Sequence, residues 1–310
     1  MSNEIEFDYV TPENLMAWIE QKKRFYLIHT LTNSHFQKVH LPGAQNACVF
    51  DVTFLDQMNS ITDNKTAEIV LYGSSERSMD AFTAAEKLHV EGYQRMVILK
   101  GGIETWRSLN YPLEGESVDI PVDPETRLVL PDGKYRIDTE QSIIDWIGRN
   151  PNTKHFGTVR ISEGQVNIEN GKITGVFEID MNSIENRSLK GDDLEPVLVS
   201  HLKSEDFFFV KLFPTARFII NGGTLAENPY LSLPNFEIDG TLVLRGVKTD
   251  LSFPTTIANT DDNGWVAEAH FDIDRTRWKV IYGSTRFFEH LGMHLVFDLI
   301  SFEVKIVAMK

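Results

Sequence analysis

The chain has 310 residues, 42% of them hydrophobic and 24% charged, with a formal net charge of -15 at pH 7, which is long enough for two ordinary domains with separate cores. The acidity is shared between the two halves, so neither carries the positive field that a nucleic-acid backbone or an anionic membrane surface requires. No apolar run approaches the ~20 residues of a membrane-spanning helix, the first 30 residues lack the basic start and apolar centre of a signal peptide, and the single cysteine, Cys48, allows no internal disulfide; the expected location is the cytoplasm.

From the N-terminus, TPENLMAWIEQK places Thr11 as N-cap, Pro12 at the first helical position and Glu13 in the first turn, where the helix dipole favours negative charge. Leu15, Trp18 and Ile19 then share one face, which predicts an amphipathic helix. FYLIHT and EIVLYG are short apolar runs of the kind that form strands buried on both faces. SMDAFTAAEKLHVEGY follows, with Ala81, Ala84, Ala85 and Leu88 as an apolar stripe and Gly92 as its stop. MVILKGG gives a third strand and IETWRSLNY a short helix. Strands alternating with helices predict an α/β domain of three layers, its parallel sheet covered on both faces.

Residues 115–134, GESVDIPVDPETRLVLPDGK, break this rhythm. Pro121, Pro124 and Pro131 and the lack of apolar periodicity predict an extended linker. From there the period becomes two. VRISEGQVNIENGKITGVFEIDMNSI alternates apolar and polar residues and is interrupted at EG and NG turns. FEIDGTLVLRGVKTDLSF, WVAEAHFDID and LVFDLISFEVKIVA continue the pattern, and one helical segment intervenes around LEPVLVSHLKSEDF. Many antiparallel strands with little helix predict a β-barrel or a strongly curved sandwich.

In the first half, HLPGAQNA (His40 to Ala47), IVLYGSSERSMDAFTAAEKL and EGYQRMVILKGGIETWRSLNYPL, ending in Gly101, Gly102, Trp106, Tyr111 and Pro112, together resemble a single rhodanese-like domain. The domain is placed at residues 1–115. An active member of that family carries a cysteine straight after the strand, where loop amides and a helix N-terminus lower the thiol pKa and hold a persulfide. Here that position is Gly73. The loop from Tyr72 to Arg77 is one residue shorter than the family's, and His29 and Leu31 stand where the family has Asp-x-Arg. Sulfur transfer needs a sulfur nucleophile, so the departures imply a domain with no catalytic residue. The loop Gly73, Ser74, Ser75, Glu76 and Arg77 keeps the shape of an anion site, with free amides and one guanidinium; Arg77 either serves such an anion or pairs locally. Ser74 or Ser75 as a substitute nucleophile has no histidine near it in sequence to act as base. Cys48 reads as a small core hydrophobe, and His40 as a turn-stabilising hydrogen-bond donor.

In the second half, YRIDTEQSIIDWIGRNPNTKHFGTVRISEGQVNIENGKITGVFEIDMNSI, SHLKSEDFFFVKLFPTARFII, IDGTLVLRGVKTDLSFP and FDIDRTRWKVIYGS resemble the YceI-like family over residues 133–310, leaving 116–132 as the linker. The resemblance implies an all-β, lipocalin-like antiparallel barrel with an elongated apolar cavity that takes polyisoprenoid or amphiphilic lipids. A barrel of about eight strands has room inside for side chains or one slender ligand. Ile143, Trp146, Val176, Phe177 and Ile179 are expected to line it, with the register open. The Phe207–Phe209 cluster follows a helix able to cap one end, and Phe213, Phe218, Phe271, Trp278, Tyr282, Phe287 and Phe288 add aromatic surface. The ligand-contact set is Trp146, His155, Phe177, Phe207, Phe208, Phe218, Phe271, Trp278, Tyr282 and Phe287; His155, Arg160, His201, Arg275 and Trp278 are candidates for a polar headgroup. The plain alternative is that the aromatics fill a solid core. His201 and His290 have no partners at metal-ligand spacing, so no metal is expected, and no cofactor is required beyond a bound isoprenoid or fatty-acyl lipid.

Three functions follow as expectations. The first is non-catalytic binding of a hydrophobic small molecule such as an isoprenoid quinone, with the rhodanese-like half docking a protein partner or regulating. The second is a rhodanese-type sulfurtransferase or a hydrolase using the loop as anion site. The third is an interaction scaffold whose exposed edge strand pairs with a second copy to form a homodimer.

Overall fold

Thr11 caps the first helix as its position predicts. In the computed structural model, which describes residues 6–119, 128–260 and 264–310, the Thr11 hydroxyl accepts from Asn14 N–H at 3.3 Å and the helix α1 runs Pro12–Glu20. The chain divides into two units, Met1–Asp123 and Pro124–Lys310.

In the first unit, β1 (Asp8–Val10), α1, β2 (Tyr26–His29), α2 (Asn33–Lys38), β3 (Gln45–Asn46), α3 (Phe54–Ile61), β4 (Glu68–Tyr72), α4 (Asp80–Val90), β5 (Arg95–Leu99) and α5 (Gly102–Ser108) alternate along the chain. The sheet order is β1-β5-β4-β2-β3, with every pairing parallel. Central β4 explains its own sequence: Ile69, Val70, Leu71 and Tyr72 have no exposed surface, because helices cover both faces of the strand. Ala81, Ala84, Ala85 and Leu88 pack α4 on that sheet as their spacing predicts. Two features turn the chain back at the sheet's carboxyl edge. Gly101 and Gly102 both have positive φ, and a Cβ on Gly102 would lie 2.6 Å from the Gly73 carbonyl oxygen, so only glycine lets α5 start against the loop after β4. Leaving β2 the chain moves to β3, and leaving β4 it moves to β5, so a crevice opens where the connections part, at the ends of β2 and β4.

The second unit holds β6 (Gly133–Ile137), β7 (Ile143–Arg149), β8 (Lys154–Glu169), β9 (Lys172–Asn186), α6 (Glu195–Lys203), β10 (Thr215–Leu225), β11 (Phe236–Leu244), β12 (Val247–Asn259), β13 (Trp265–Asp274) and β14 (Leu299–Met309), with short 3-10 turns at Arg275–Trp278 and Gly292–His294. All pairings are antiparallel, from β13 through β12, β11, β10, β9 and β8, and β13 pairs again with β14. β6 and β7 share one slot between β8 and β14, so among the described residues nine strands close an eight-position barrel. Closure leaves the barrel's described strands no free edge, whereas the open sheet of the first unit keeps β1 and β3 as its edges.

The described ends of the proline-rich segment are not free. Glu116 and Ser117 N–H donate to the Gln37 and Lys38 carbonyls, and Val118 packs in the first core. Leu128 N–H donates to Pro229 O, and its side chain joins the barrel core. Burying Val118 and Leu128 is the reason each flank folds onto its own unit. The linker residues between, including Pro121 and Pro124, lie outside the described residues.

Candidate functional site

The crevice at the ends of β2 and β4 is occupied by the chain itself. Asp80 opens α4 and is 4% exposed. Its Oδ2 accepts from Ser74 N–H at 3.3 Å and its Oδ1 from Ala81 N–H at 2.9 Å. A Cβ built on Gly73 would overlap this carboxylate. The Asp80 carboxylate therefore occupies the space where the side chain of a residue at 73 would begin, and it takes the loop amide that a bound anion would use. The loop's carbonyls are also committed: Gly73 O and Ser74 O accept from Ile103 and Glu104 N–H of α5 at 2.9 and 3.0 Å. Ser75 Oγ accepts from Arg77 N–H. Glu76 and Arg77 are exposed, whereas Asp80 is buried.

Two histidines that lie far from this loop in sequence come to it through the parallel register, which sets His29 beside Tyr72. His29 is fully buried, 5.1 Å from the Tyr72 ring centre and stacked on His35 at 5.2 Å; its Nε2 lies 3.2 Å from His35 Nδ1. Burial, then the neighbouring His35 and His40, push the His29 pKa down to about 3. Burial and the Lys38 and Arg107 charges also lower His35, with Asp80 opposing. The His29 Nε2 is thus engaged with His35 rather than with Ser74 or Ser75. His40, expected to stabilise a turn, uses Nδ1 on Phe36 O at 2.7 Å and stacks on the Phe36 ring. Cys48 is buried.

A neutral buried histidine makes stability depend on pH. The unfolded chain binds a proton on His29 below its ordinary pKa of 6.5, whereas the folded chain does not until about 3. Unfolding therefore takes up a proton in that window. Stability contributed by His29 is complete above pH 6.5 and falls by up to about 1.4 kcal/mol for each pH unit below it. Urea midpoints of the first unit measured from pH 7 to pH 4 show this slope, and His29→Phe flattens it; an equal slope in both proteins would assign the effect elsewhere.

In the barrel, alternation selects the lining. Ile144 and Trp146 of β7, Val159 and Ile161 of β8, and Phe177 and Ile179 of β9 face inward. Ile143 and Val176, expected among the lining residues, are absent from it because each neighbours an inward residue on its strand, and Val176 faces an outer groove. Two adjoining cavities result, here called the inner, of about 140 Å³, and the outer, of about 170 Å³ and bordered by α6. Both are bordered by Ile144, Ile179, Leu242 and Phe302, so they run end to end. One wall of the inner cavity is a chain of rings: Phe177, Phe218, Phe253, Phe271 and Phe302, with Phe253 and Phe271 stacked at 4.0 Å. The outer cavity is walled by Trp146, His155, Phe207, Phe208 and α6 residues Leu198 and Leu202, so the helix and the phenylalanine cluster after it close one end as their order along the chain suggests.

Seven of the ten expected contact residues thus border a cavity: Trp146, His155, Phe177, Phe207, Phe208, Phe218 and Phe271. Three do not. Trp278 has no exposed surface and is a core residue whose Nε1–H donates to Leu242 O at 3.0 Å. Tyr282 packs outside the lining against His201 and Phe207, with its hydroxyl 3.0 Å from His294 Nδ1. Phe287 is half-exposed on the turn that follows Ser284, beyond any inward strand position.

The headgroup candidates also separate. Arg160 is exposed and paired with Glu185 on the outer surface. His201 pairs with Asp206. Arg275 borders the outer cavity, but its guanidinium is spent on backbone carbonyls. His155 Nδ1 lies 3.1 Å from Ser188 Oγ. The lining residues Phe253, Thr255, Trp265, Ala269 and Phe302 were not among the expected contacts. For Phe302 the signal was available: Glu303 and Lys305 alternate with Phe302, Val304 and Ile306, and charges at every second position mark the outer face.

Among the described residues, no group of three or more His, Cys, Asp or Glu is placed to hold a metal, and no helix is long and apolar enough to cross a membrane. A family model described as a YceI-like domain matches residues 135–308, and one described as a rhodanese-like domain matches residues 11–109. Among solved structures, BcnA from Burkholderia cenocepacia is 19% identical, with a TM-score of 0.45, over 56% of this chain and 99% of its own. A polyisoprenoid-binding domain from Saccharophagus degradans is 14% identical, with a TM-score of 0.39, over 56% of this chain and 97% of its own. A rhodanese-like domain from Anabaena sp. is 21% identical, with a TM-score of 0.33, over 41% of this chain and 93% of its own. No curated protein matches.

Proposed function

The chain belongs to the YceI-like family through residues 135–308, and from that premise we propose that its barrel is a non-catalytic holder of one hydrophobic or amphiphilic molecule, an isoprenoid, a quinone or a fatty-acyl lipid. The observation that carries this reading is the pair of adjoining apolar cavities inside the closed barrel. A void lined by aliphatic and aromatic side chains costs stability when empty and recovers it when filled by apolar surface, at ~25 cal/mol per Å² before ordering costs. In this reading the rhodanese-like half is a docking or regulatory module. Asp80 in the space beside Gly73 supports that role over sulfur transfer, since the loop has no thiol and its Ser74 amide is already bonded to Asp80.

Native mass spectrometry of the purified chain with organic extraction tests the proposal, with Ala269→Phe as its control. Ala269 borders the inner cavity from β13. A phenylalanine there fills the void and leaves the outward face unchanged. The expected result is an adduct of a few hundred daltons on the natural chain, with affinity at least tenfold weaker in the variant and an unchanged or higher melting temperature. An apo mass together with no binding of added quinones or fatty-acyl lipids sinks the proposal.

A further inference from the structure

The apolar lining of the outer cavity continues onto the surface at the α6 end of the barrel. Four connections meet at that end: β7 to β8, β9 to β10, β11 to β12 and β13 to β14. Tyr282 ties two of them together, since its ring packs on His201 of α6 and its hydroxyl lies 3.0 Å from His294 Nδ1. Leu194, Val197 and Leu212 in the β9–β10 connection, and Phe287, Met293 and Leu299 in or just after the β13–β14 connection, are half-exposed or more. Val197 is next in sequence to Leu198, and Leu299 to Ile300, both of which border the outer cavity. The exposed apolar surface and the cavity wall are therefore built from the same segments. Single exposed apolar side chains are ordinary, but a group of them around the end of an apolar cavity marks a contact surface.

Charge says what the contact is with. Residues 125–310 hold 20 Lys and Arg against 27 Asp and Glu. The four connections at this end, residues 150–153, 187–214, 245–246 and 275–298, hold 9 against 7. The acidity of the chain is thus reversed where the apolar side chains gather. With a Debye length of about 8 Å at physiological ionic strength, a surface that touches this end meets its weakly positive charge, while more distant acidic residues are screened. A phospholipid surface is the complement, with phosphates to meet lysine and arginine and acyl chains beneath them to take the apolar side chains. The cargo favours the same partner. Each methylene group carried through water costs about fourfold in partition, and a barrel seated by this end avoids that crossing.

Resting on the lipid-holding reading above, we infer that the α6 end of the barrel docks on a phospholipid surface. Leu194 and Val197 of the helix segment and Phe287 and Met293 of the loop before β14 enter the interface, and ligand is exchanged there between the bilayer and the outer cavity.

Flotation of the full-length chain with phosphatidylcholine vesicles, with and without added phosphatidylglycerol, tests this. Two paired variants remove apolar surface at this end, Leu194→Gln with Val197→Gln and Phe287→Ser with Met293→Gln. A third pair, Leu225→Gln with Leu233→Gln, removes exposed apolar surface around the β10–β11 connection at the opposite end. The natural chain should float with phosphatidylcholine alone and more strongly with phosphatidylglycerol present. Each of the first two pairs should lower the partition about tenfold, and the third should leave it unchanged. Affinity for a quinone or fatty-acyl lipid dispersed without vesicles should be the same in all four proteins, because none of the replaced side chains borders a cavity. A natural chain that binds the dispersed lipid and does not float, or first and second pairs that float as it does, overturns this inference and leaves the lipid-holding reading intact. A dimer in sedimentation that the first two pairs abolish, with no flotation, overturns it too and gives the face to a second copy. Binding of no dispersed lipid overturns both.

Discussion

Replacing Arg275 by methionine lowers the stability of the barrel unit by about 3–5 kcal/mol, the cost of breaking a buried charged network from one side. Arg275 is 2% exposed. Its Nε donates to Phe297 O at 3.1 Å, Nη1 to Val280 O at 2.7 Å and Nη2 to Val296 O at 3.1 Å, and Nη2 lies 3.4 Å from Asp298. One planar group thus pins the 3-10 turn after β13 to the loop returning into β14. Methionine keeps most of the volume and removes every donor, leaving three carbonyls and a carboxylate short of partners. Lysine restores a charge but not the fork, and recovers only part of the loss. Urea denaturation of the natural chain and both variants measures this. A methionine variant within about 1 kcal/mol of the natural chain would show that water replaces the guanidinium without penalty.

Gly73→Cys is the change that would restore the sulfur nucleophile on paper, and it is expected to destabilise the first unit by about 3 kcal/mol without creating sulfurtransferase activity. The new Cβ overlaps the Asp80 carboxylate. Gly73 and Asp80 are both buried, and the loop cannot swing out because α5 holds the Gly73 and Ser74 carbonyls. Pairing the substitution with Asp80→Ala removes the overlap and frees the Ser74 amide, so the double variant regains most of the lost stability. Melting curves and a thiosulfate assay on the two single variants and the double variant decide the matter. Turnover by Gly73→Cys alone, at undiminished stability, would mean that Asp80 does not hold this space.

Much of this architecture is legible in the chain because local signals agree with the fold. Thr11, Pro12 and Glu13 mark a helix start, the unbroken apolar run at Ile69–Tyr72 marks a strand covered on both faces, and EG and NG turns punctuate a period-two half. Gly73 announces a missing nucleophile. What replaces it does not show, because Asp80 reads as an ordinary acidic residue opening a helix, and only the folded loop brings its carboxylate back over residue 73. His29 reads in the sequence only as a departure from Asp-x-Arg, and its place beside the loop is hidden for a related reason: strand pairing sets it next to Tyr72, and His35 on α2 stacks on it. In the barrel, residues on strands with charges at alternate positions can be assigned a face, whereas Ile143 and Ile144 are equally apolar and register alone separates them. Trp278, Tyr282 and Phe287 lie beyond the regular strands, where alternation has no meaning.

Asp80 also changes how the first unit responds to its surroundings. A loop that binds a free anion gains stability with the logarithm of that anion's concentration, so its folding is linked to the supply of ligand. Here the anion is tethered by the chain, at an effective concentration that dilution cannot lower. The Ser74 amide has its acceptor as soon as the loop folds, so that contact does not depend on the supply of a free anion.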